Sequence, residues 1–205
     1  MGAGKTNTGE SEKNNITQGS IFGQLLLFFF PILFGTFFQQ LYNTADAVVV
    51  GHFVGKQALA AVGGTTSTLI NLLVGFFVGL SSGATVVISQ YYGARKPDKV
   101  HWAVHTAVAF SLMGGVLFMV IGIVFAHMAL SAMHTPEDVL NYAVVYIRIY
   151  FLGMIPNLIY NMGAGILRAV GDSKRPLYFL IGSCMVNILL DLILVAGLRL
   201  GVGGA

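Results

Sequence analysis

Charge is what this chain has least of. Only 9% of its 205 residues are charged, against 56% hydrophobic, whereas a soluble domain carries about 25% charged residues. With a mean hydropathy of +0.79, that scarcity excludes a water-soluble globule and predicts an all-α integral membrane protein, a polytopic helix bundle. Cysteine is nearly absent too: Cys184 stands alone, so no internal disulfide can form, and its apolar neighbours describe a packed thiol. The first twenty residues lack an apolar core followed by a small-residue cleavage site, so residues 1–19 read as a disordered cytoplasmic tail and not a leader. No phosphate-binding glycine loop or nucleophile triad occurs, so neither an enzyme nor an organic cofactor is expected. The net charge of +3 carries information through where its basic residues fall, and does not point to nucleic acid.

A helical crossing needs roughly 20 mainly apolar residues. Five stretches qualify, over about residues 21–54, 58–91, 102–133, 142–167 and 177–198. Pro31 and Pro156 fall inside the first and fourth, where neighbouring groups can satisfy the freed backbone. Lys5 and Lys13 in the tail, Arg95, Lys96 and Lys99 after the second span, and Arg168, Lys174 and Arg175 after the fourth all fall on one side. The other side holds Lys56, Arg199, Glu137 and Asp138. The positive-inside rule then predicts a cytoplasmic N-terminus and a multi-pass protein of the cell membrane. Arg148, inside the fourth span, has no place in this scheme. Five spans ending at the glycine-rich Gly201-Val202-Gly203-Gly204 read as an incomplete bundle, as a fragment would.

Of the eight acidic residues, only Asp46 and Asp191 lie inside spans. A carboxylate in the bilayer core costs about 2.5–3.5 kcal/mol on insertion scales, so it usually faces a cavity and marks an ion or substrate path. Around each the polar residues form a helical stripe: Gln39, Tyr42, Asn43 and Asp46 on the first span, Ser183, Asn187 and Asp191 on the fifth. On the fourth, Tyr150, Gly153, Asn157, Asn161 and Arg168 follow a similar face. Interhelical hydrogen-bond glue is the ordinary role of membrane Asn and Gln, worth about 0.6 kcal/mol each; a carboxylate is too costly to keep for that alone. Both aspartates are predicted in the outer half at comparable depth, where they could share a proton or receive a sodium ion with oxygens of Asn187 and Asn161. His101 and His105 have metal-ligand spacing on a helix but no third ligand, so no metal site is expected. Gly51-x-x-x-Gly55, Gly75-x-x-x-Gly79 and Gly79-x-x-x-Gly83 read as helix-packing contacts.

Four stretches together carry a family resemblance. They are Pro31-Ile32-Leu33 with Gln39-Gln40-Leu41-Tyr42-Asn43-Thr44-Ala45-Asp46, then Ala58-Leu59-Ala60-Ala61-Val62-Gly63, Gln90-Tyr91-Tyr92-Gly93-Ala94, and Gly165-Ile166-Leu167-Arg168-Ala169-Val170-Gly171-Asp172 leading to Asn187-Ile188-Leu189-Leu190-Asp191. In this order they resemble multidrug and toxic compound extrusion (MATE) transporters, in the DinF-like prokaryotic branch. The resemblance implies twelve helices in two six-helix lobes, of which residues 20–205 would supply five helices of the N-terminal lobe. It also implies export of organic cations and drugs in exchange for protons or sodium ions. Asp46, Asn187 and Asp191 match the family's ion-coupling positions, and Asn161 a polar cavity position on the fourth helix. Gln39, Tyr42, Asn43, Asn157 and Ser183 complete the expected cavity set. The expected partners are membrane lipid, a small organic cation and a second lobe. Alternatives are a lipid-linked polysaccharide flippase of the same superfamily, for which Arg148 and Arg168 are the candidate cations, and a non-transporting half. An intramembrane aspartyl protease fits poorly, because Asp191 follows Leu189-Leu190 and not a Gly-x-Gly setting.

Overall fold

In the computed structural model, residues 21–204 are described; the tail expected over residues 1–19 lies outside them. The first span is a single helix, α1 (Ile21–Phe53). The second is two: a short α2 (Lys56–Gly63) and a long α3 (Thr65–Gly93). The third is α4 (Pro97–Ala132). The fourth divides into α5 (Glu137–Leu152) and α6 (Met154–Ala169), bent by 52°. The fifth is α7 (Lys174–Asp191), which runs on as a π-helical turn over Leu192–Gly197. By length and composition this gives up to five crossings, counting the bent pair as one.

The two interruptions have local causes. At Gly64 the chain turns so sharply that a Cβ would overlap the carbonyl oxygen of Ala60, so only glycine fits between α2 and α3. In the fourth span, Pro156 offers no N–H to the carbonyl four residues earlier, at Leu152, and the helix breaks at the next residue, Gly153. The helix ends are also written in the sequence. Pro97 opens α4 with Asp98 in its first turn, and Glu137 and Asp138 open α5, each placing negative charge at a positive helix end. Asp172 closes the start of α7: its Oδ1 accepts from the backbone N–H of Lys174 (3.2 Å) and Arg175 (3.1 Å), while Oδ2 pairs with the Arg175 guanidinium at 3.0 Å.

Helices α3 to α6 enclose the apolar core, where Phe77, Leu130, Ile147, Phe151, Met154 and Leu158 are buried together. Small residues let these helices close up. A Cβ on Gly122 of α4 would fall within the ring of Phe151, so that glycine is what seats the phenylalanine against α4. Ser81 of α3 donates to the Asn161 carbonyl of α6 at 3.0 Å, fixing a second contact across the bundle.

Helix α1 stands apart from this core. It packs chiefly on α7, and among its described residues only Val49 and Val50 are buried. Gly35 faces Leu180, and Asp46 faces Asp191. The same step along both helices joins the two contacts, so α1 and α7 run parallel and in register. The two aspartates are brought together by that register.

Candidate functional site

The α1/α7 register sets Asp46 and Asp191 side by side, with the amide of Asn187, one turn before Asp191, against the Asp46 carboxyl. Asp191 is 2% exposed, and Asp46 and Asn187 are half-buried. Asp46 Oδ1, Asn187 Oδ1 and Asp191 Oδ2 are all fully enclosed yet accept no hydrogen bond. Three orphaned acceptor oxygens in one place are unusual, because buried polar groups are nearly always paired. Their common need is a cation or a proton. Two adjacent buried carboxylates repel each other when both are ionised, so the arrangement favours the bound state of either.

Tyrosines wall this centre. Tyr42, one turn before Asp46 on α1, faces Asp46 on one side and lies against Gln39 on the other, with buried Cys184 of α7 also beside it. Tyr146 of α5 lies near both aspartates, and Tyr150, one turn further, lies against Asn157 of α6. Tyr146 is the residue that sequence reasoning missed. The signal existed, since it sits four residues before Tyr150 on the same helical face; only its packing against the α1/α2 corner at Val50 and Ala58 gives it a role.

The remaining predicted residues separate into two groups. Asn157 and Asn161 pair on α6, where Asn161 Nδ2 donates to the Asn157 carbonyl (2.9 Å) and to its Oδ1 (2.6 Å). Asn161 and Gln39 then line a small cavity of about 120 Å³ between α1, α6 and α7, together with Thr36, Tyr160, Arg168 and Ser173. This cavity lies toward the basic end of the bundle, with Tyr42 between it and the aspartates. Asn161 is thus in the cavity and not beside the carboxyl pair, so the oxygens at hand for an ion there are those of Asp46, Asp191 and Asn187. Asn43 and Ser183 join neither place: both are exposed, and Asn43 Nδ2 reaches Gln40 Oε1 at 3.4 Å. Arg148 is also exposed, on the α5 face turned away from Tyr146, where its Nε donates to the Ile123 carbonyl at 3.3 Å. Among the described residues, no group of three or more His, Cys, Asp and Glu side chains has the makeup of a metal site. His101 and His105 stack ring on ring at 4.1 Å.

A polar seam through parallel membrane helices, with a carboxyl pair near one end, is a transporter's feature. The family model described as MatE matches residues 31–193. The chain belongs to the MATE family. It is a multi-pass member of this family of multidrug efflux transporters. Its sequence is 34% identical over 190 residues to the probable multidrug resistance protein YoeA of Bacillus subtilis, spanning 91% of this chain and 41% of that protein. It is 31% identical to YpnP of the same organism, also named a probable multidrug resistance protein, over 93% of this chain and 43% of YpnP. In structure it superposes on a MOP superfamily transporter from Pyrococcus furiosus with a TM-score of 0.87 and 26% identity, over 95% of this chain and 42% of that one. That transporter is described as having a binding pocket of reverse polarity that suggests a different function. The MATE chain therefore spans about two-fifths of the length of these relatives.

Proposed function

We propose that this chain supplies the ion-coupling part of a secondary antiporter that exports organic cations and drugs in exchange for protons or sodium ions. Residues 20–205 would form part of the N-terminal lobe of such a transporter, in the cell membrane with the N-terminus cytoplasmic. The observation that carries the reading is the enclosed triplet of unpartnered oxygens on Asp46, Asn187 and Asp191. A proton shared by the two carboxyls, or a sodium ion held among the three oxygens, relieves their repulsion and supplies the missing partner. No organic cofactor enters the mechanism.

Coupling follows from competition. With the ion bound, the repulsion between the carboxyls is relieved and the α1/α7 contact can close. With the ion gone, the repelling carboxylates favour a looser contact and attract an organic cation into the lobe. An ion entering down the membrane potential contributes about 2.3 kcal/mol per 100 mV, which drives export when the two occupants exclude each other. Gln39, Tyr42, Asn157 and Asn161 would line the route between the carboxyl pair and the basic end. A second lobe would provide the surface against which this one rocks.

The test is transport by the full-length protein in proteoliposomes. Asp46→Asn and Asp191→Asn, each inserted and expressed at the normal level, are expected to abolish ion-driven export of a fluorescent cation. Unchanged export by either variant would overturn the reading. Arg168, lining the cavity at its basic end, favours one other reading, a flippase for an anionic lipid-linked sugar. In that case Arg168→Gln would remove activity and Asp46→Asn would not.

A further inference from the structure

A second recess lies outside the seam and shares none of its residues. It is a groove of about 770 Å³ between α3 and α4, floored by Met162 of α6. Its walls are apolar, from Leu80, Val87 and Ile88 on α3 to Phe110 on α4, and small residues at Gly83 and Ala103 keep it open. A Cβ on Gly83 would meet no atom within 4 Å, so the glycine faces empty space. Apart from Thr106, whose hydroxyl donates to the Trp102 carbonyl at 2.9 Å, the polar groups gather at the basic end, where Tyr91, Asp98, Lys99 and Trp102 form the mouth. The link into α4 adds Arg95 and Lys96, both exposed. Three cations against Asp98 leave the mouth positive. Lys99 holds its ammonium 5.7 Å from the centre of the Tyr91 ring, at the lip of the groove. Trp102 is 77% exposed beside it, the position an interfacial aromatic takes at the headgroup level.

We propose that this groove binds one anionic phospholipid of the cytoplasmic leaflet, its acyl chain lying between α3 and α4 and its phosphate at Lys99, with Arg95 and Lys96 completing the headgroup site. Length supports it. From Asp98 to Phe110 the α4 wall runs about 18 Å at the helical rise, close to the roughly 15 Å of one leaflet in a hydrocarbon core about 30 Å thick. Charge supports it as well, since juxtamembrane Lys and Arg are drawn to anionic lipid on the cytoplasmic side. The inference rests on the orientation given above and is independent of whether the aspartates couple to an ion. Its consequence is a fixed lipid wedged between two spans, holding them at a set separation.

The experiment uses the full-length protein in nanodiscs of phosphatidylglycerol and phosphatidylethanolamine, with a photoactivatable acyl chain on one lipid at a time. Crosslinks mapped by peptide mass spectrometry are expected along residues 80–110 at the groove, more with phosphatidylglycerol, and above the level at Val120, an exposed residue further along α4. Lys99→Gln is expected to lower the preference for phosphatidylglycerol about fivefold. Gly83→Leu, whose Cβ enters open space in the groove, is expected to remove groove crosslinks with either lipid and leave the melting temperature unchanged. Groove labelling no higher than at Val120, as a second lobe seated there would cause, overturns the proposal. So does an unchanged lipid preference in Lys99→Gln.

Discussion

The α3–α6 bundle and the α1/α7 seam are made of similarly apolar helices, yet they are held in different ways. In the bundle, Phe77, Ile147, Phe151 and Met154 interlock, and glycines such as Gly122 set the spacing between helices. Between lipid-immersed helices there is no hydrophobic drive, so this shape fit and its dispersion contacts supply the stability. Along the seam, tyrosines, amides and two carboxyl groups meet, and three of their oxygens lack partners. The contrast assigns different tasks. On the proposed function, the bundle is a scaffold with one arrangement, and the seam is a contact whose strength depends on what occupies it.

The comparison can be broken from either side. The largest expected loss of stability is Phe151→Ala, about 3–5 kcal/mol, because it empties the cavity that Gly122 shapes; thermal unfolding of the full-length protein in micelles would show it. Gly122→Val overpacks the same contact and should cost about 1–3 kcal/mol by that measurement. If both variants melt like the wild type, the bundle is not the scaffold. Tyr146→Phe comes next, at about 0.5–1.5 kcal/mol for one deleted half-buried hydroxyl, but its larger signature should be an altered affinity for the coupling ion, read by ion-dependent tryptophan or dye fluorescence. Asp191→Leu is expected to leave stability unchanged or raise it, since a buried carboxyl with an unpartnered oxygen is replaced by an apolar side chain of the same branching; ion-driven export should vanish all the same. A strongly destabilised Asp191→Leu would mean that the carboxyl pair is structural. Smallest of all is Asn43→Ala, within about 0.5 kcal/mol on an exposed face, with ion binding retained.

Much of this was legible before any coordinates. Asp46 and Asp191 stand out because a membrane carboxylate is expensive, Asn187 shares the Asp191 stripe, and the shared depth of the two carboxyls follows from counting along two spans of the same direction. Asn43 shows the limit of that method. A helical stripe is about a third of the circumference wide, so a residue three positions from Asp46 can share its stripe and still point away from α7. Tyr146 shows the converse: it comes from a span read as polar only further along, and it reaches the aspartates because α5 packs beside the α1/α2 corner. The break at Gly64 was also not apparent, because hydropathy does not register a single tight carbonyl contact. The bend near Pro156 was hinted at by the proline and placed by the missing N–H.

The sequence by itself determined the solvent, the number of apolar stretches and the residues too costly to be incidental. These are properties of composition and periodicity, summed over many positions, and the bilayer enforces them whatever the helices touch. The tertiary structure alone decided that α1 pairs with α7 in parallel and in register, that Asn161 and Gln39 share a cavity apart from the aspartates, and that Tyr146 comes near the carboxyl pair. Those outcomes depend on which ridges and small residues meet between helices distant in the chain, and no pattern within one helix carries that information.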